Sequence, residues 1–273
     1  MRTTVFLPHL DDLFLSGDCS PHSIISDLLA TSNHSISRLS VYVNMGLADP
    51  PPTPQHLDFR GNLRFLSTWR EFYRTLVDGA SPGGIEGLTE LELQDTVGIS
   101  SDREADFFRI VAPTLRTLAI NYDDVTPLAE LLPLLSHLSK LSIRSYGANP
   151  APLLRCLPPA LSILRLDNDK QLGPSLAQWT AAPSLVPAGL KQIQINDTYD
   201  FETYQQLPPV PTLWTDYRDS TFNHLQRLST GTLPFKTLEM YFSSRQLLWL
   251  SLIQGECLRL GSELRQRLKP WDT

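Results

Sequence analysis

The residues with reactive side chains are dispersed. "HLDD" at 9–12 sets His9 beside Asp11 and Asp12, types that ligate metal or move protons. In a strand register, however, Asp11 and Asp12 flank the apolar Leu10 and Leu13, which points the carboxylates at solvent. "SPGG" at 81–84 is a glycine turn without the Lys-Ser/Thr of a phosphate loop. Cys19, Cys156 and Cys257 are far apart and odd in number, with none of the spacings of a zinc or redox pair. No Gly-x-Gly-x-x-Gly, Gly-x-Ser-x-Gly or His-Glu-x-x-His occurs. The sequence thus predicts no catalytic centre, no bound metal and no cofactor, that is, a protein that is not an enzyme.

Bulk properties narrow the class. Of 273 residues, 41% are hydrophobic and 19% charged, enough for a buried core and well away from disorder. The formal charge of −6 gives no pull toward nucleic acid or an anionic membrane, so neither is expected as a partner. The N-terminal "MRTTVFLPHLDD" is too short in apolar residues and too acidic for a signal peptide. The stretch at 246–260 is broken by Gln254, Gly255, Glu256 and Arg259 and does not suit a bilayer span. A cytoplasmic or nuclear location is the expectation. The sequons at Asn33 and Asn196 are then chance matches.

What positions any functional side chain is a recurring element. "GLTELELQDT" at 87–96 follows Leu-x-x-Leu-x-Leu, and so do seven other segments. Their central apolar residues are Leu13, Leu39, Leu91, Leu118, Leu141, Leu164, Ile193 and Leu238. The steps between them are 26, 52, 27, 23, 23, 29 and 45 residues. Most match the period of leucine-rich repeats, about 20–29 residues, and the two long steps imply insertions. Helical signals fall between strands: Ser20-Pro21, Ser101 with Glu104 at capping-box spacing, and Thr126-Pro127. Pro8, Pro113 and Pro159 stop each helix two residues before the next leucine. A polar residue follows most strand cores by three places (Asp18, Asn44, Thr96, Asp123, Asp169, Thr198 and Ser243), positioned to bond backbone groups at the strand exit.

These repeats, "APTLRTLAINYD" and "LPPALSILRLDND" among them, make residues 5–243 resemble the leucine-rich-repeat portion of fungal F-box-like proteins, of the ribonuclease-inhibitor-like type. The resemblance implies an α/β solenoid, a horseshoe with parallel strands on the concave face and helices on the convex face. It also implies that the repeats select a protein partner for a ubiquitin ligase. The adaptor of a cullin-RING ligase would dock through an N-terminal F-box, and that segment is missing here, since the first strand begins almost at Met1.

The expected organisation is a solenoid of about eight repeats over 1–243, with insertions near 46–62 and 199–217. Residues 63–77, "LRFLSTWREFYRTLV", follow a helical pattern. Residues 244–273 are read as a capping helix with Leu247, Leu248, Leu250, Ile253, Cys257, Leu260, Leu264 and Leu268 on one face, divided or bent at Gly255 and Gly261. Outward strand positions supply the candidate partner-binding residues: Tyr42, Gln94, Asn121, Lys140, Arg144, Arg165, Gln194 and Tyr241. Lys140, Arg144 and Arg165 form a locally basic stretch, and Tyr and Arg often dominate protein interfaces. Non-catalytic protein recognition is the expected function; the alternative is a free-standing structural or regulatory scaffold.

Overall fold

The structure, a computed structural model, describes residues 11–17, 25, 36–43, 59, 62–69, 72–73, 76–77, 82–96, 102–122, 126–145, 151–167, 179, 182–196, 207, 210–216, 225–226, 235–242 and 250–268. Eleven strands line up in chain order in one sheet: β1 (Asp12–Gly17), β2 (Arg38–Val43), β3 (Phe65–Trp69), β4 (Glu90–Thr96), β5 (Thr117–Tyr122), β6 (Lys140–Ser145), β7 (Ile163–Asp167), β8 (Gln192–Asn196), β9 (Val210–Asp216), β10 (Phe235–Phe242) and β11 (Glu263–Leu268). Among the described residues, short α-helices between them include α1 (Pro82–Ile85), α2 (Asp102–Val111), α3 (Thr126–Leu131), α4 (Ala151–Leu154) and α5 (Leu250–Arg259). The class is α/β in the leucine-rich-repeat arrangement, one parallel strand per repeat, as the sequence predicts. The chain divides into two compact units, 1–122 with 134–138 and 123–133 with 139–273.

In the first unit the repeats stack in strict register. Leu13, Leu39, Leu66, Leu91 and Leu118 are consecutive partners across β1–β5. The last four are fully buried, each stabilising the stack by roughly 1.5–3 kcal/mol. Leu13 and Leu15 are only half-buried, because β1 is an edge strand with one neighbour. The backbone explains why register holds. The carbonyl two residues before each central leucine accepts two amides from the next repeat: Ser37 and Arg38 donate to Asp11 (3.0 and 2.9 Å), Arg64 and Phe65 to Ser37 (2.8 and 3.0 Å). The hydroxyl of Thr89 adds a further bond to the carbonyl of Arg64 (3.0 Å). Phe107, Phe108 and Val111 of α2 are buried, with Tyr73 edge-on to Phe107 at 5.2 Å.

The second unit repeats the device. Leu141, Leu164, Ile193, Leu213, Leu238 and Leu264 are partners across β6–β11. Ser162 and Ile163 donate to the carbonyl of Ser139, and Lys191 and Gln192 to that of Ser162. Trp179 is buried, and its indole nitrogen donates to the carbonyl of Leu154 at 3.0 Å, so its only polar atom is satisfied.

Three expectations are corrected. Residues 65–69 are a strand, although 63–77 follow a helical pattern; of that stretch, 72–73 and 76–77 are helical. The 199–217 segment, expected as an insertion, carries a further strand of the sheet, β9. With Leu66 and Leu213 included, the 52-residue step becomes 27 and 25, and the 45-residue step becomes 20 and 25. Of the other proposed insertion, 46–62, only Phe59 and Asn62 are described, and Phe59 is buried. The C-terminal segment is also not one helix. Its helix ends at Arg259 and the chain returns as β11, turned by Gly261 at φ 77. There Ser262 donates its amide to the carbonyl of Cys257 (2.8 Å) and Gly261 donates to Leu258 (3.1 Å), the paired bonds of a Schellman stop.

Candidate functional site

Alternation along each strand sends one set of side chains into the core and the other outward. In the first unit the outward residues fall in rows set by the register. One row is Asp12, Arg38, Phe65, Glu90 and Thr117; a second is Phe14, Ser40, Ser67, Glu92 and Ala119. Tyr42 pairs with Ser16, and Trp69 with Gln94. Gln94 and Asn121 do not share a row, because the β4–β5 register shifts between Leu93 and Thr96, a bulge that the repeat pattern does not announce.

Tyr42 is the best-held of the expected residues here. Its hydroxyl lies 2.5 Å from the Oγ of the buried Ser67, and its ring lies 5.6 Å from that of Phe14 and 6.2 Å from that of Trp69. Phe14 is 63% exposed. Beside these rings Gln94 donates its side-chain amide to Glu92 at 3.2 Å. Arg38 lies over the Phe65 ring at 4.2 Å and approaches Asp12 at 3.8 Å. Asp11 and Asp12 are exposed, as their register predicts; His9 lies outside the described residues.

The second unit carries the basic group. Lys140 and Arg144 face outward on β6, and Arg165 faces outward on β7, where it pairs with Ser142 on one side and Gln194 on the other. Arg165 donates its Nε to both oxygens of Asp167, at 3.1 and 3.0 Å, and Arg144 comes within 3.9 Å of the same carboxylate. The Asp167 side chain is only 7% exposed, whereas those of Arg144 and Arg165 are 46% and 34% exposed. A carboxylate so withdrawn from water needs cationic partners, and two guanidinium groups converge on it. The result is a pair of arginines oriented by one acid, with Lys140 exposed on the same face of the sheet. Tyr241 occupies an outward strand position, paired with Asp216 and Arg267; its side chain lies outside the described residues.

No family model matches the chain, and no curated protein does. The chemistry has to be judged from the residues themselves. Among the described residues, no group of three or more His, Cys, Asp or Glu could hold a metal ion. No described helix is long and apolar enough to cross a membrane. The thiol of Cys257 is buried, and burial together with the nearby Glu256 charge pushes its pKa up to about 12. It stays protonated at neutral pH, the opposite of what a nucleophile needs.

Sequence reasoning missed Ser67 and Trp69, because it assigned no strand to 65–69. The signal was there: "LRFLSTW" is the repeat with Thr68 in place of the last leucine, and Thr68 is fully buried. "VPTLWTD" on β9 has Thr215 at the same place. The polar residues expected at strand exits, Asp18, Asn44, Asp123, Asp169, Thr198 and Ser243, lie outside the described residues, as does the side chain of Thr96. Among the described residues, hydroxyls just before a strand, such as those of Thr89 and Ser162, bond backbone carbonyls of the preceding repeat.

Proposed function

We propose that this protein is a non-catalytic recognition module that holds a protein partner on the outward face of its parallel sheet. The observation that carries the reading is the arrangement around Asp167. Two arginines, held by one withdrawn carboxylate, present guanidinium edges from adjacent strands, and a third cation, Lys140, lies on the same face. Arginines oriented in this way lose little freedom on binding and suit carboxylates of a partner. The resemblance to the repeats of F-box-like proteins gives the reading its specific form: the substrate-selecting part of a ubiquitin-ligase receptor.

The test is a double charge reversal, Arg144→Glu with Arg165→Glu, in protein immunoprecipitated from its own cells. The expected result is at least about a tenfold loss of the native partner, since buried interface arginines often contribute 1–2 kcal/mol each. The double reversal also strips the withdrawn Asp167 of its cationic partners, so the thermal midpoint falls as well, and recovery is read at a temperature where circular dichroism shows the variant folded. Unchanged partner recovery would overturn the assignment of this face. For the ligase form, a cullin adaptor should copurify with the native protein, and its absence would remove that form while leaving protein recognition standing.

A further inference from the structure

The outward face of the first unit has a different chemistry from the arginine pair. Phe14, Tyr42 and Trp69, from three successive strands, form a diagonal of rings with neighbouring centroids 5.6 and 6.2 Å apart. The Phe14–Tyr42 pair is tilted by 44° and the Tyr42–Trp69 pair meets edge to face at 77°, so neither pair is stacked face against face. Tyr42 is fixed by its hydroxyl contact with Ser67, and the partner of Ser67 on the next strand is Glu92, about 4.8 Å away at the backbone. Among the described outward residues of β1–β5, the charged ones are Asp12, Glu90 and Glu92 against Arg38 alone. Arg38 is already engaged by Asp12 and by the ring of Phe65. It shows that a guanidinium placed on an aromatic ring suits this face.

We infer that Phe14, Tyr42 and Trp69, with Glu92 beside them, form a subsite for a cationic side chain, arginine or lysine, from a basic segment of the protein partner. The inference rests on the recognition reading above and names part of the partner's chemistry. Ring faces carry negative electrostatic potential, and a carboxylate at the edge of the aromatic group strengthens the attraction for a cation. The surplus of carboxylates on this face repels an acidic segment and favours a basic one.

The full-length protein, with labelled tryptophan indoles, would be titrated with butylguanidinium and with its neutral isostere butylurea. The readout is the indole N–H resonance of Trp69, identified by its loss in Trp69→Phe. Butylguanidinium should give a saturable shift and bind at least about threefold more tightly than butylurea, the ratio expected for an exposed cation–π contact. Tyr42→Ala should abolish the shift. Glu92→Gln should weaken butylguanidinium about two- to threefold and leave butylurea unchanged. No saturable shift would overturn the proposal, and so would equal binding of the two probes, which would mark an apolar platform. The two readings fail separately. Arg144 and Arg165 lie on β6 and β7, so their charge reversal tests partner recognition without touching this subsite.

Discussion

Asp167 and Cys257 are both withdrawn from water, and their surroundings differ. Asp167 has two guanidinium partners. Cys257 has burial and a nearby carboxylate charge, which together favour the thiol. The folded pKa of Cys257 lies above its ordinary 9.0, so the folded state holds this proton more tightly than the unfolded chain. The stability that follows is fully present below pH 9 and is lost as pH rises toward about 12. Denaturation midpoints should therefore fall between pH 9 and 11, and Cys257→Val should flatten that fall. A fall of the same slope in Cys257→Val would contradict the burial of the thiol. The same burial predicts that iodoacetamide at pH 8 alkylates Cys156, which is partly exposed, well before Cys257, as read by peptide mass mapping.

At the scale of the element, the turn from α5 into β11 depends on one residue. Gly261 has φ 77, a conformation that costs an L side chain about 1–2 kcal/mol. Gly255, within α5, has nothing within 4 Å of where a Cβ would stand. Gly261→Ala should thus lower stability by roughly 1 kcal/mol, while Gly255→Ala should raise it by about 0.5–1 kcal/mol. Equal effects of the two, measured by denaturant unfolding, would mean that the helix does not end at this turn. The same segment shows what the sequence makes legible. Eight strands announce themselves by apolar residues at all three template positions, and the structure has a strand at each of the eight. β3 and β9 do not, because Thr68 and Thr215 substitute for the last leucine and break the pattern at the position used to recognise it. β11 has Gly261 and Gln266 at two of its three template positions, so only Leu264 remains, and a helical reading of "SELRQRL" wins on spacing alone. Of the candidate site, alternation was enough to place Tyr42, Lys140, Arg144, Arg165 and Gln194 outward. The ring partners of Tyr42 and the convergence on Asp167 depend on register between strands some 25 residues apart, which spacing within one repeat does not specify.

For the whole molecule, the arrangement separates labour between two sides of each repeat. Apolar residues and carbonyl pairing hold the stack, so outward residues are free to differ from repeat to repeat: aromatic and acidic on β1–β4, basic on β6 and β7. A core of this kind needs nothing from the outward residues, and their chemistry is then available for recognition. The central claim is that partners bind this face and not the helices. It is tested most directly by photocrosslinking in native cells with benzoylphenylalanine placed at Ser142 or Gln194, outward on β6 and β8, or at Gln254, exposed on α5. The account predicts one shared covalent adduct from positions 142 and 194 and none from position 254. An adduct from 254 alone would contradict it.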